Sequence, residues 1–118
     1  MKKSVRTLLA VGASAVIGLQ VAHGECVRVN FQNWSGRTIQ HLYMSPSAVR
    51  GWGGDVLGDY VLGAGRYAII ARCFDSDDDD YDFKVVYSDG TVDEWRQGVP
   101  ISGTATVWVD DNSFLHSR

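Results

Sequence analysis

The sequence predicts an all-β protein: one small antiparallel β-sandwich or barrel of six to seven short strands, held by one disulfide. Three observations carry that expectation. Val27, Val29 and Phe31 alternate with Arg28, Asn30 and Gln32, while Ala105, Val107 and Val109 alternate with Thr104, Thr106 and Trp108. Period two is the mark of a half-buried strand. Asp89-Gly90 stands between two β-rich runs, a strong hairpin signal. After residue 24 no stretch carries an apolar stripe at helical spacing.

The elements follow in chain order. Residues 27–31 form the first strand, and Asn33-Trp34-Ser35-Gly36 places turn formers at three of four positions. Residues 38–44 form the second strand, so the first two are expected to pair as a hairpin, ended by Ser45-Pro46-Ser47. Between Ala48 and Gly65 lie six glycines and no sustained period, which predicts a long loop with one short strand at Tyr60-Val61-Leu62. Residues 66–74 are apolar on both parities, the pattern of a central strand. An acidic connection follows, then the hairpin strands 81–88 and 91–97, and a last strand at 104–110.

The first 24 residues read as an address. Lys2, Lys3 and Arg6 precede an apolar stretch from Leu8 to Leu19, then Ala22-His23-Gly24. That order describes a secretory signal peptide over residues 1–24, leaving a single β domain over 25–118. The twelve residues of that stretch, broken by small residues and Ser14, reach about 18 Å at about 1.5 Å each, too short to cross a ~30 Å hydrocarbon core. Arg6 stands alone, which gives no twin-arginine signal, and Glu25 before Cys26 spoils a lipobox. A periplasmic or secreted bacterial protein is expected.

Charge and cysteine usage agree with export. Beyond the leader, 8 of the 11 basic residues and all 14 acidic ones remain, a net charge of −6. Nucleic acid is then a poor partner, because phosphate binding needs clustered Lys and Arg. No integral membrane segment is expected in the mature chain. The two cysteines, Cys26 and Cys73, enter an oxidising compartment and are expected to form a disulfide. Closing about 48 residues is worth about 4 kcal/mol in the chain-entropy model.

Several motifs together resemble a known group of proteins. They are Asn33-Trp34-Ser35-Gly36-Arg37-Thr38-Ile39, Leu42-Tyr43-Met44-Ser45-Pro46-Ser47, Trp52-Gly53, Asp55, Leu57-Gly58-Asp59, Tyr81-Asp82-Phe83-Lys84-Val85-Val86-Tyr87, Asp89-Gly90 and Glu94-Trp95-Arg96. They cover most of the mature chain. The pattern is similar to a family of small exported bacterial β proteins of unknown function, some studied as serological antigens of Gram-negative pathogens. The resemblance implies export and a β domain, and it transfers no catalytic residue. The run Asp77–Asp80 is an elaboration outside the family pattern.

The acidic run Asp75-Ser76-Asp77-Asp78-Asp79-Asp80 offers oxygen ligands of the kind calcium takes, with Asp75, Asp77 and Asp79 as the weak candidates. An EF-hand is excluded: Asp80 stands where glycine makes the turn, and Val86 where the bidentate Glu belongs. The expected state is an extended, self-repelling loop with no specific metal. Nucleophilic catalysis has little support, with only His41 and His116 in the mature chain and no G-x-S-x-G elbow. Asp93 and Glu94 are strand neighbours on opposite faces and cannot flank one bond.

The aromatics are the more informative set. Trp34 sits in a turn, Trp52 in a Gly-rich loop and Trp108 opposite the apolar face of its strand, which makes all three candidate ligand contacts. Trp95 reads as core filling. Asn33-Trp34-Ser35 matches a glycosylation sequon, but marks only a surface turn. The favoured function is a non-catalytic surface or periplasmic binding module with a protein or glycan partner and no cofactor. The alternative is an envelope-associated structural protein whose acidic loop binds cations.

Overall fold

The alternating runs become seven strands in a computed structural model, which describes residues 25–118; the expected leader over 1–24 lies outside the described residues. The strands are β1 (Glu25–Asn33), β2 (Ile39–Pro46), β3 (Tyr67–Phe74), β4 (Asp80–Tyr87), β5 (Val92–Pro100), β6 (Thr104–Val109) and β7 (Leu115–Ser117). They form two sheets, one ordered β3-β1-β6-β7 (sheet A) and one ordered β2-β4-β5 (sheet B). Among the described residues there is no helix. Two stacked sheets make the architecture a sandwich.

Alternation does the packing. Val27, Val29 and Phe31 of β1 and Val107 and Val109 of β6 turn inward from sheet A. Leu42, Met44, Phe83 and Val85 turn inward from sheet B, and all nine are buried. Phe31 meets Phe83 across the interior with ring centroids 5.8 Å apart. The Asp89-Gly90 hairpin forms as read, joining β4 and β5. Gly90 adopts φ of 90°, in the left-handed region that its missing Cβ permits, and Asp89 Oδ1 accepts the Thr91 N–H.

Three local expectations give way to long-range pairing. β1 and β2 do not make a hairpin. Both edges of β1 are already taken, by β3 antiparallel and by β6 parallel, so residues 34–38 cross to the other sheet instead. β1–β6 is the one parallel pair, and it arises because the short link after β5 also crosses between sheets. Residues 66–74 do not form a central strand: β3 pairs only with β1 and lies at the edge of sheet A, with Ile69 on the outside. Tyr60-Val61-Leu62 makes no strand, only a single bridge between Leu62 and Ile39.

The long loop has a structural task. Ile39 and Leu62 exchange backbone hydrogen bonds, Val56 N–H donates to Leu42 O, and Asp55 Oδ1 accepts the Leu42 N–H at 3.0 Å. The loop therefore straps the open edge of β2 and satisfies ladder groups that would otherwise face water or another chain.

The disulfide forms as expected. Cys26 and Cys73 are directly opposed in the β1–β3 ladder, on the outer, exposed side of sheet A. Since the strands are already neighbours, its effect falls on the unfolded chain. Reduction is expected to lower unfolding stability by about 2–4 kcal/mol in denaturant titrations while leaving the β circular dichroism intact. An unchanged midpoint would show that the ladder alone holds β3.

Candidate functional site

The sequence-predicted contacts separate into two places. Trp34 and Trp108 belong to the outer face of sheet A. Trp52 lies over sheet B, beside the acidic loop.

The outer face of sheet A is built by parity. With Val29 and Phe31 inward, Arg28, Asn30 and Gln32 must point out, and the registers set Thr104, Thr106 and Trp108 beside them. β7 then adds His116 opposite Trp108, and Arg118, just past its end, exchanges backbone hydrogen bonds with Thr106. Trp108 is not a free platform. Its ring stacks on His116 with centroids 5.2 Å apart and lies 5.0 Å from the Arg118 guanidinium, so it positions both. Trp34, 51% exposed, donates its indole N–H to Gln32 Oε1 at 3.0 Å and stands at the end of the same row.

A depression of about 330 Å³ opens on this face, lined by Arg28, Asn30, Ile69, Thr104, Thr106 and Arg118. The Asn30 Oδ1 is buried there with no hydrogen-bond partner. Charge is distributed unevenly between the sheets. The strands of sheet A carry Arg28 and Arg72 against Glu25, with Arg118 directly after β7, while those of sheet B carry Lys84 and Arg96 against Asp80, Asp82, Asp93 and Glu94. Net charge conceals this asymmetry.

His116 Nε2 lies 2.7 Å from Asp110 Oδ2, just after β6. That bond and the Phe114 and Asn112 N–H groups hold the Asp110 carboxyl below its ordinary value. His41 Nδ1 lies 2.7 Å from Asp55 Oδ2 in the same manner. Partial burial alone would raise the Asp55 carboxyl, but the Leu42 N–H, the His41 ring and the Leu57 N–H outweigh it and hold it low. Both pairs anchor loops, because each aspartate also caps backbone N–H groups.

The second place is a groove of about 310 Å³ with apolar walls from Met44, Pro46, Val49, Trp52 and Phe74, and Asp75 at its rim. Arg96 lies over the Trp52 ring at 4.7 Å. The sequence candidates Asp75, Asp77 and Asp79 are not brought together as a set. Instead the carboxylates of Asp78, Asp79 and Asp80 lie within 4.8 Å of one another. Both Asp78 oxygens are already engaged, Oδ2 by the Ala48 N–H and Oδ1 by the Asp80 N–H. Three residues supply few of the six to eight oxygens that calcium takes.

Trp95 packs against the core and donates to Ser113 O, as a structural residue would. Asn33 corrects the surface-turn reading, because it is fully buried and its amide is consumed by internal bonds. Sequence reasoning missed Arg28, Asn30 and Arg118. The polar parity of β1 was visible, but the pairing that gathers these residues around one depression is non-local. Among the described residues no helix is long and apolar enough to cross a membrane. Compared with known proteins, the chain matches no family model, no curated protein and no solved structure.

Proposed function

We propose that this protein is an exported, non-catalytic binding domain that recognises an acidic glycan on the outer face of sheet A. The observation that supports this reading is the meeting of Arg28, Arg118 and the unpartnered Asn30 Oδ1 around one depression, in line with the half-exposed Trp34. Guanidinium groups bind carboxylates by charge-assisted hydrogen bonds, an amide oxygen accepts a sugar hydroxyl, and an indole face packs on a sugar ring. From Arg28 to Trp34 along β1 is about 20 Å at strand rise, a length suited to a short oligosaccharide. Two arginines on a chain of negative net charge are too few for nucleic acid.

Titration calorimetry with oligogalacturonate, against a neutral cello-oligosaccharide, tests the reading. Binding of the acidic ligand only is expected. Arg28→Ala should weaken it roughly 10- to 100-fold, the effect of one charge-assisted bond. No preference for the acidic ligand, or binding indifferent to both Arg28→Ala and Trp34→Ala, would overturn it.

A further inference from the structure

A sandwich of two open sheets has four outer edges, and three of them are guarded. β2 is strapped by the loop that bonds Ile39 and Leu42. β5 carries Asp93, Glu94, Arg96, a left-handed Gly98 and Pro100, and its ladder with β4 shifts register. β7 is only three residues long. Charges, bulges, proline and shortness are the usual means of preventing edge-to-edge pairing.

β3 has no bulge, no proline and no shortness to protect it. It is eight residues long, and Arg72 is its one charge. Cys26 and Cys73 form a narrow pair, with Cα atoms 3.9 Å apart, which in an antiparallel ladder is the pair without mutual hydrogen bonds. Ala68, Ile70 and Arg72 therefore bond to β1. Tyr67, Ile69, Ala71 and Cys73 turn their N–H and C=O groups to the open side, where sheet A has no further strand among the described residues. Large apolar side chains gather beside this edge: Tyr60 is 81% exposed, Val61 59%, Tyr67 64% and Ile69 43%.

We infer that the open edge of β3 pairs antiparallel with the same edge of a second copy, so that the two A sheets become one continuous sheet. A two-fold axis at Ile70 satisfies the pattern. On the outer face it sets Ile69 opposite the partner's Ala71 and Tyr67 opposite the partner's Cys73, large against small in both pairs. Displacing the axis to Ile69 would instead oppose Arg66 to the partner's Arg72. With the axis at Ile70, each Arg66 approaches the acidic end of the other copy, the partner's Asp75. Backbone self-complementarity and this charge match favour a second copy over a foreign strand, and the interface closes on itself as a two-fold dimer.

Sedimentation equilibrium of the purified protein should give twice the chain mass. Ala71→Pro removes an N–H that bonds no other group among the described residues, so this variant should keep its circular dichroism and sediment as a monomer. In the unaltered protein, hydrogen exchange at the Ile69 and Ala71 amides should slow as concentration rises, a readout independent of any substitution. A monomer at about 100 µM would overturn the inference, including one whose β3 is captured only by a foreign peptide. A dimer that survives in folded Ala71→Pro, or exchange at these amides that ignores concentration, would also overturn it.

Discussion

Val107→Asp is expected to abolish the folded state. Val107 is fully buried on the inner face of β6, level with Phe31 of β1 and Ser117 of β7. Its neighbours on the interior side are apolar, so an introduced carboxylate has no partner. Burying it ionised, or neutral without a hydrogen bond, costs several kcal/mol. That is comparable with the whole stability of a small domain, about 5–15 kcal/mol. Circular dichroism and size exclusion should show an unfolded or aggregated chain. A soluble, cooperatively melting variant would mean that the inner and outer faces of β6 are reversed.

Asn33→Ala is expected to cost about 3–4 kcal/mol, more than most polar substitutions. Asn33 is fully buried where the chain leaves sheet A. Its Nδ2 donates to Arg37 O at 2.6 Å and to Leu62 O at 2.9 Å, while its Oδ1 accepts from the Ser35 N–H and the Ser35 hydroxyl. One amide thus fixes the crossing to β2 and ties it to the loop that straps the β2 edge. Alanine would remove four hydrogen bonds at once and leave the buried Ser35 N–H without its acceptor, while the Leu62 and Arg37 carbonyls keep only the Ile39 N–H and the Ser35 hydroxyl. Asn33→Asp discriminates sharply, since it keeps the acceptor for Ser35 but turns an oxygen toward two carbonyls. It should be at least as damaging. The urea midpoint should fall in both with the slope unchanged, and a shift below about 1 kcal/mol would show the crossing to be held by other contacts.

These two residues mark the limit of what local pattern reveals. Val107 was assignable to the core from alternation alone, because inward and outward positions differ by one residue in a strand. Asn33 has only the local signature of a turn former, since its importance comes from Leu62, 29 positions away. The candidate site divides in the same way. Trp34, Trp52 and Trp108 could be named from their settings, yet nothing local shows that Trp108 is covered by His116 and Arg118 while Trp34 stays open. Residues 66–74 carry the clearest misdirection. Apolar residues on both parities announce a strand buried on both faces, and β3 has that composition at an open edge.

By itself the sequence determined the all-β class, the Asp89-Gly90 hairpin, the inner faces of β1 and β6, and the single disulfide. Each follows from backbone periodicity, turn chemistry or the presence of only two cysteines. Only the tertiary structure decided that β1 lies between β3 and β6, that β2 belongs to the opposite sheet, and that Arg28, Asn30 and Arg118 share one depression. Strand pairing is carried by backbone groups common to every residue. Which strands meet is therefore settled by how the whole set of apolar faces can be buried at once.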